Sequence, residues 1–151
     1  MATILTPSVN KRNNENADKG ISAGDPRQQK QILIIDDEPK IRVLFSNILS
    51  RAGYETIAFG DNAKVIHYLK DNEHHIDLLL LDLNMPHIDA HYFRKLIKSR
   101  HPQAKMIVVS NYALDIQKYL IIDADDYFDK SDGIHVLKEK VKRVLSNNKE
   151  N

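Results

Sequence analysis

Residues 32–39 read Ile32-Leu33-Ile34-Ile35-Asp36-Asp37-Glu38-Pro39. Four aliphatic residues in unbroken succession suit a strand buried on both faces, as in a parallel sheet whose two sides are covered by helices. Two adjacent carboxylates end the run. Pro39 then opens a helix, because the first helical position has no use for an N–H. Ile41, Leu44, Phe45, Ile48 and Leu49 give that helix one apolar stripe, and Gly53 is its stop.

The same alternation repeats along the chain. Residues 55–59 read as a second strand, and Asp61 caps a second helix carrying Ile66 and Leu69. Residues 77–83 form a third strand, followed by a helix with Phe93, Leu96 and Ile97 that Pro102 ends. Residues 106–109 make a fourth strand, residues 112–122 a helix and residues 126–129 a short fifth strand. Asp132 is the expected cap of a last helix bearing Ile134, Leu137, Val141 and Leu145. Five strands alternating with five helices predict an α/β, doubly wound, five-stranded parallel sheet with helices on both faces. In such sheets the working site lies outside the carboxyl ends of the strands.

Length and composition narrow the field. The chain has 151 residues, no cysteine and a formal charge of +1, enough for one domain with tails. Without cysteine there is no disulfide, thiolate zinc site, iron–sulfur ligation or cysteine nucleophile, and a cytoplasmic setting is the expectation. No apolar run approaches the ~20 residues that cross a bilayer, so no membrane partner is expected. Residues 1–30 lack aromatics and are crowded with Asn, Asp, Lys, Gly and Gln; they predict a disordered extension. Residues 31–145 form the domain and residues 146–151 a short tail. The domain is nearly neutral, which gives no electrostatic footprint for direct nucleic-acid binding.

At the strand ends stand Asp36 and Asp37, Asp82, Ser110 and Lys130. Carboxylates that share a site repel unless a cation joins them, and a hard oxygen-liking ion such as Mg2+ is the natural one. Lys130 adds a charge aimed at an anion. His87 and His91 are four apart and His74 and His75 adjacent, but neither group has the further ligands of a zinc site. There is no glycine-rich phosphate loop and no Gly-x-Ser-x-Gly elbow.

Four stretches together resemble the receiver domain of two-component response regulators: residues 32–39; Leu79-Leu80-Leu81-Asp82-Leu83-Asn84-Met85-Pro86; Ile107-Val108-Val109-Ser110; and Ala124-Asp125-Asp126-Tyr127-Phe128-Asp129-Lys130. The resemblance spans residues 31–145 and implies the flavodoxin-like strand order 2-1-3-4-5. By position it makes Asp82 the phosphoacceptor, charged from a sensor histidine kinase or a histidine phosphotransfer protein. It makes Asp37, Asp82 and the backbone carbonyl of Asn84 direct Mg2+ ligands, with Asp36 acting through a water. It makes Ser110 and Tyr127 the switch pair and Lys130 the cation that meets the phosphoryl group. Asn84 and Tyr112 fall where phosphoryl lifetime is tuned. Ser131 stands where the family usually has proline, Asn111 where a small residue is usual, and Ala90 and Asp123 where glycines are common.

The expectation is a single-domain response regulator that catalyses only its own phosphorylation and dephosphorylation. It would signal to a downstream protein by phosphorylation-dependent binding, or act as a relay intermediate or phosphate sink. Two alternatives stand beside it. A Mg2+-dependent aspartate-nucleophile phosphatase of the haloacid dehalogenase type also places an Asp after a strand, but wants an acid two residues later, where this chain has Asn84. A receiver-like scaffold would bind its partner without phosphorylation.

Overall fold

The structure is a computed structural model that describes residues 29–71, 74–86, 89–120 and 123–147. Most of the extension expected over 1–30, and residues 148–151 of the expected tail, lie outside the described residues. Gln29 and Lys30 are already tied to the domain: Gln29 Nε2 donates to Gly53 O at 3.0 Å, and Lys30 O accepts from Glu55 N at 2.9 Å.

The chain alternates β1 (Gln31–Ile35), α1 (Pro39–Arg51), β2 (Glu55–Phe59), α2 (Asn62–Lys70), β3 (Leu78–Asp82), α3 (Ala90–Arg100), β4 (Lys105–Ser110), α4 (Leu114–Leu120), β5 (Asp126–Asp129) and α5 (Ile134–Ser146). The sheet is parallel, in the order β2-β1-β3-β4-β5. Local chemistry sets the ends. Pro39 opens α1, and Gly53, at φ 96, takes the left-handed conformation just beyond the last turn. The Asp61 and Asp89 side chains cap α2 and α3 by accepting from Lys64 N and Tyr92 N.

β3 is one residue shorter at each end than expected and β4 one residue longer at each end, and two helix starts also differ from the sequence expectation. The helix expected from residue 112 begins at Leu114, because Asn111 N and Tyr112 N donate to the side chains of Asn84 and Ser110. Its first turn instead hangs on the Ala113 carbonyl, which accepts from Ile116 N and Gln117 N. Asp132 does not cap α5. Its amide closes a turn onto Asp129 O, Asp129 Oδ1 accepts from Ser131 N and Ser131 Oγ, and Gly133 takes the cap position.

Alternate residues of the central strands feed two cores. Leu33, Ile35, Leu79, Leu81, Met106 and Val108 pack with Val65 and Leu69 of α2 and Phe93 and Ile97 of α3. Ile32, Ile34, Leu78, Leu80, Ile107 and Val109 pack with Phe45 and Leu49 of α1 and Leu137 and Val141 of α5. Phe45 meets Phe128 edge to face at 6.3 Å, fastening α1 to β5. Each of these buried aliphatics contributes about 2 kcal/mol, and truncating Leu80 to Ala costs about 3 kcal/mol once the cavity is included.

Register then brings the strand ends together. Ile35 pairs with Leu81, so the residues that follow, Asp36 and Asp82, come side by side. Asp82 pairs with Val109, one step before Ser110. Ser110 pairs with Asp129, and Lys130 N donates to Ser110 O at 2.8 Å, setting the lysine beside the serine.

Candidate functional site

Asp82 and Asp36 are each 1% exposed although both are carboxylates, and so much buried acid needs partners. Asp82 Oδ1 accepts from Asn84 N at 2.8 Å, and its Oδ2 lies 3.2 Å from Lys130 Nζ. Asp36 Oδ1 accepts from Glu38 N at 2.8 Å. Its Oδ2 is buried without an aligned hydrogen bond and faces Lys130 Nζ at 2.8 Å as an ion contact. Glu38 Oε1 reaches the same ammonium at 3.0 Å. Lys130 arrives there through a trans bond to Ser131, as no peptide among the described residues is cis.

Charge at this cluster does not balance. Oxygens of Asp36, Asp37, Glu38 and Asp82 lie within 4.8 Å of one another, against the one ammonium of Lys130. Burial and the neighbouring Asp36 push the Asp82 carboxyl above the usual carboxylate range, against the pull of Asn84 N and Lys130. Burial works against the Lys130 ammonium, but Asp36, Glu38 and Asp82 outweigh it and raise its pKa. An acidic surplus of hard oxygens, some buried and some open to solvent, fits a divalent cation such as Mg2+, which takes one or two carboxylates and keeps several waters.

The hydroxyl and amide groups form a chain beside the acids. Ser110, fully buried, donates to Asn84 Oδ1 at 2.8 Å and accepts from Tyr112 N at 3.0 Å. Asn111 N also donates to Asn84 Oδ1, at 2.9 Å. Tyr112 O in turn accepts from Gln117 Nε2 at 2.7 Å, and the same amide reaches Phe128 O at 3.1 Å. Gln117 thus ties the loop after β4 to β5. Tyr127 is buried in the core shared with α2 and α3, and burial pushes its hydroxyl pKa up. Tyr112 is 44% exposed.

Every residue singled out at the strand ends, Asp36, Asp37, Asp82, Ser110 and Lys130, therefore stands at one edge of the sheet. Sequence reasoning missed three others. Glu38, the acid after the Asp pair, was legible as part of that run. Gln117 was not, since one amide in a seven-residue helix reads as solvent-facing. Arg42, whose Nη1 donates to Asp36 O at 2.7 Å, looked like an ordinary helix surface residue.

A doubly wound parallel sheet with an acidic, lysine-braced cluster at its carboxyl edge defines a class of α/β domains. Within that class, the family model described as response regulator receiver domain matches residues 32–142, and the chain belongs to that family. The chain is similar to the chemotaxis protein CheY of Bacillus subtilis, 35% identical over 95 residues that cover 62% of this chain and 75% of that protein. It is also similar to the transcriptional regulatory protein YxdJ of Bacillus subtilis, 29% identical over 118 residues covering 76% of this chain and 50% of the other. Thus the chain spans about half the length of that regulator. Among solved structures it resembles the response regulator protein TrrA of Thermotoga maritima in complex with Mg2+ and BeF. That likeness has a TM-score of 0.62 at 32% identity, covering 77% of this chain and 99% of the other. Residues 32–142 form a response regulator receiver domain with the CheY-like fold; the phosphatase alternative is not favoured. No described helix is long and apolar enough to cross a membrane.

Proposed function

We propose that Asp82 is the phosphoacceptor of this receiver and that a phosphohistidine on a sensor histidine kinase or histidine phosphotransfer protein is its donor. The observation that carries the reading is a buried carboxylate that faces both the lysine and the other acids of the cluster. Asp82 is held by Asn84 N and Lys130 Nζ and surrounded by Asp36, Asp37 and Glu38.

An Asp82 oxygen attacks phosphorus as the P–N bond breaks, and the bonding pair returns to the histidine ring. The product is an acyl phosphate, reactive enough to be transient. Asp37, Asp82 and the Asn84 carbonyl would hold Mg2+, with Asp36 acting through a water. Bound there, Mg2+ neutralises the acids and the phosphoryl oxygens, which is the main need of phosphoryl transfer. Lys130, already ringed by Asp36, Glu38 and Asp82, exchanges a carboxylate contact for a phosphoryl oxygen.

The new group adds about two negative charges beside Ser110. Ser110 then leaves Asn84 for the phosphoryl oxygen, drawing Asn111 and Tyr112 with it. Tyr127 follows into the space released, and the altered surface of α4, β5 and α5 is what a downstream protein reads in the cytoplasm. The likeness to TrrA, solved with Mg2+ and BeF, supports the cation and the phosphoryl geometry.

Incubation with acetyl phosphate and Mg2+, followed by intact mass, tests this. One phosphoryl group is expected on the wild type and none on Asp82→Ala. An unmodified wild type would favour the phosphorylation-independent scaffold instead.

A further inference from the structure

Arg42 and Gly60 meet at the rim of the acidic cluster. Arg42 closes the first turn of α1, its own amide bonded to Glu38 O at 3.1 Å. Its side chain folds back over the loop and donates from Nη1 to the Asp36 carbonyl at 2.7 Å. Among the described residues it forms no ion pair with Asp36, Asp37, Glu38 or Asp82. A cation so close to an acidic cluster would neutralise it if it turned inward. Donation to a backbone carbonyl fixes the loop and leaves the acids their charge.

Gly60 makes this placement possible. Gly53 is the positive-φ glycine among the described residues, so Gly60 is not there for backbone freedom. It is there for room: a Cβ built on Gly60 would overlap the Arg42 guanidinium. The guanidinium thus fills the space a side chain at position 60 would take. Because it is the end of a flexible side chain, a methyl group there would displace it at little cost to the fold.

With Arg42 in place, Asp36 is held by three hydrogen bonds besides the contact of its Oδ2 with Lys130. Its amide donates to Phe59 O at 3.1 Å, its carbonyl accepts from Arg42, and its Oδ1 accepts from Glu38 N. Asp37 follows directly on this pinned unit. Mg2+ demands near-octahedral oxygens and tolerates little misplacement, and groups that orient ligands without touching the metal commonly govern its affinity.

We infer that Arg42, seated over Gly60, is a positioning residue that fixes the Asp36–Asp37 loop for cation binding. The inference rests on the proposed Mg2+ site and deepens it.

The test is calorimetric titration of the full chain with Mg2+ alone, for the wild type, Arg42→Ala, Arg42→Lys, Gly60→Ala and the Arg42→Ala/Gly60→Ala double variant. Arg42→Ala and Gly60→Ala are each expected to weaken Mg2+ about tenfold. The double variant should be no weaker than either, because both remove the same contact. Arg42→Lys, which keeps a donor on a long stem, should recover part of the loss. Urea unfolding of each variant without Mg2+ separates loop placement from general instability. Wild-type binding with both single variants equally tight, or losses that multiply in the double variant, would overturn the inference. A wild type that takes up no Mg2+ would overturn the functional reading itself, and this inference with it.

Discussion

The Ser110 hydroxyl donates to the side-chain carbonyl of Asn84 at 2.8 Å, so a residue on the loop after β3 holds the residue that ends β4. The same oxygen takes the Asn111 amide at 2.9 Å, which fixes the orientation of the Asn84 amide, since a backbone N–H can only donate. Asn84 is thus a brace on the loop that the proposed phosphorylation of Asp82 would move.

Asn84→Ala removes the acceptor from a buried hydroxyl and a loop amide. It is expected to lower stability by about 1–2 kcal/mol in urea unfolding, with faster hydrogen exchange at Asn111 and unchanged exchange in β1. Unaltered Asn111 exchange would show that the brace does not hold the loop.

Gln117 fastens the other end of the loop. Gln117→Met keeps the volume but removes the side-chain donor to Tyr112 O and Phe128 O. The expected cost is about 2 kcal/mol, with the amide signals of residues 110–114 shifted in NMR spectra. Loss of stability with those signals unmoved would assign Gln117 to packing alone.

These two residues show where the sequence is informative. The strand ends were legible because an unbroken apolar run, as in β1 and β3, announces where it stops, and the acids stand at that point. The strand order came with the family resemblance, since alternation alone leaves several orders open. Gln117 and Arg42 were not legible, because their partners lie on other elements and amphipathic periodicity treats both as surface. Asp132 is not the cap because Asp129 closes a turn that takes up the amides of Ser131 and Asp132 and leaves Gly133 at the cap position, and pattern alone does not reveal that turn.

Away from the site, Asp126 anchors α5 to the sheet. Burial pushes its carboxyl up, but Tyr127 N at 2.7 Å, Lys140 at 3.2 Å and Arg143 at 3.1 Å outweigh burial and hold it below the usual carboxylate range. The unfolded chain therefore binds this proton more readily than the folded one. The stability it contributes is complete above the unfolded pKa of about 3.9 and is lost as pH falls from there through the folded value. Asp126→Asn should cost about 1–2 kcal/mol at pH 7 and flatten the acid limb of a plot of stability against pH below about 4. An acid limb as steep as the wild type's would count against this anchor.

Tyr112, whose amide bonds Ser110 Oγ and which is 44% exposed, is proposed to screen an acyl phosphate on Asp82 from water. After acetyl phosphate is removed, Tyr112→Ala should lose its phosphoryl group several-fold faster than the wild type, followed by intact mass against time. Equal half-lives would remove the screening role.

The most direct measurement traps the phosphoryl group where it sits. Borohydride reduces an aspartyl phosphate to homoserine, so chain treated with acetyl phosphate and Mg2+, reduced and sequenced by tandem mass spectrometry should carry homoserine at position 82. Homoserine at Asp36 or Asp37, or intact aspartate at all three, would contradict the assignment of Asp82 as the acceptor.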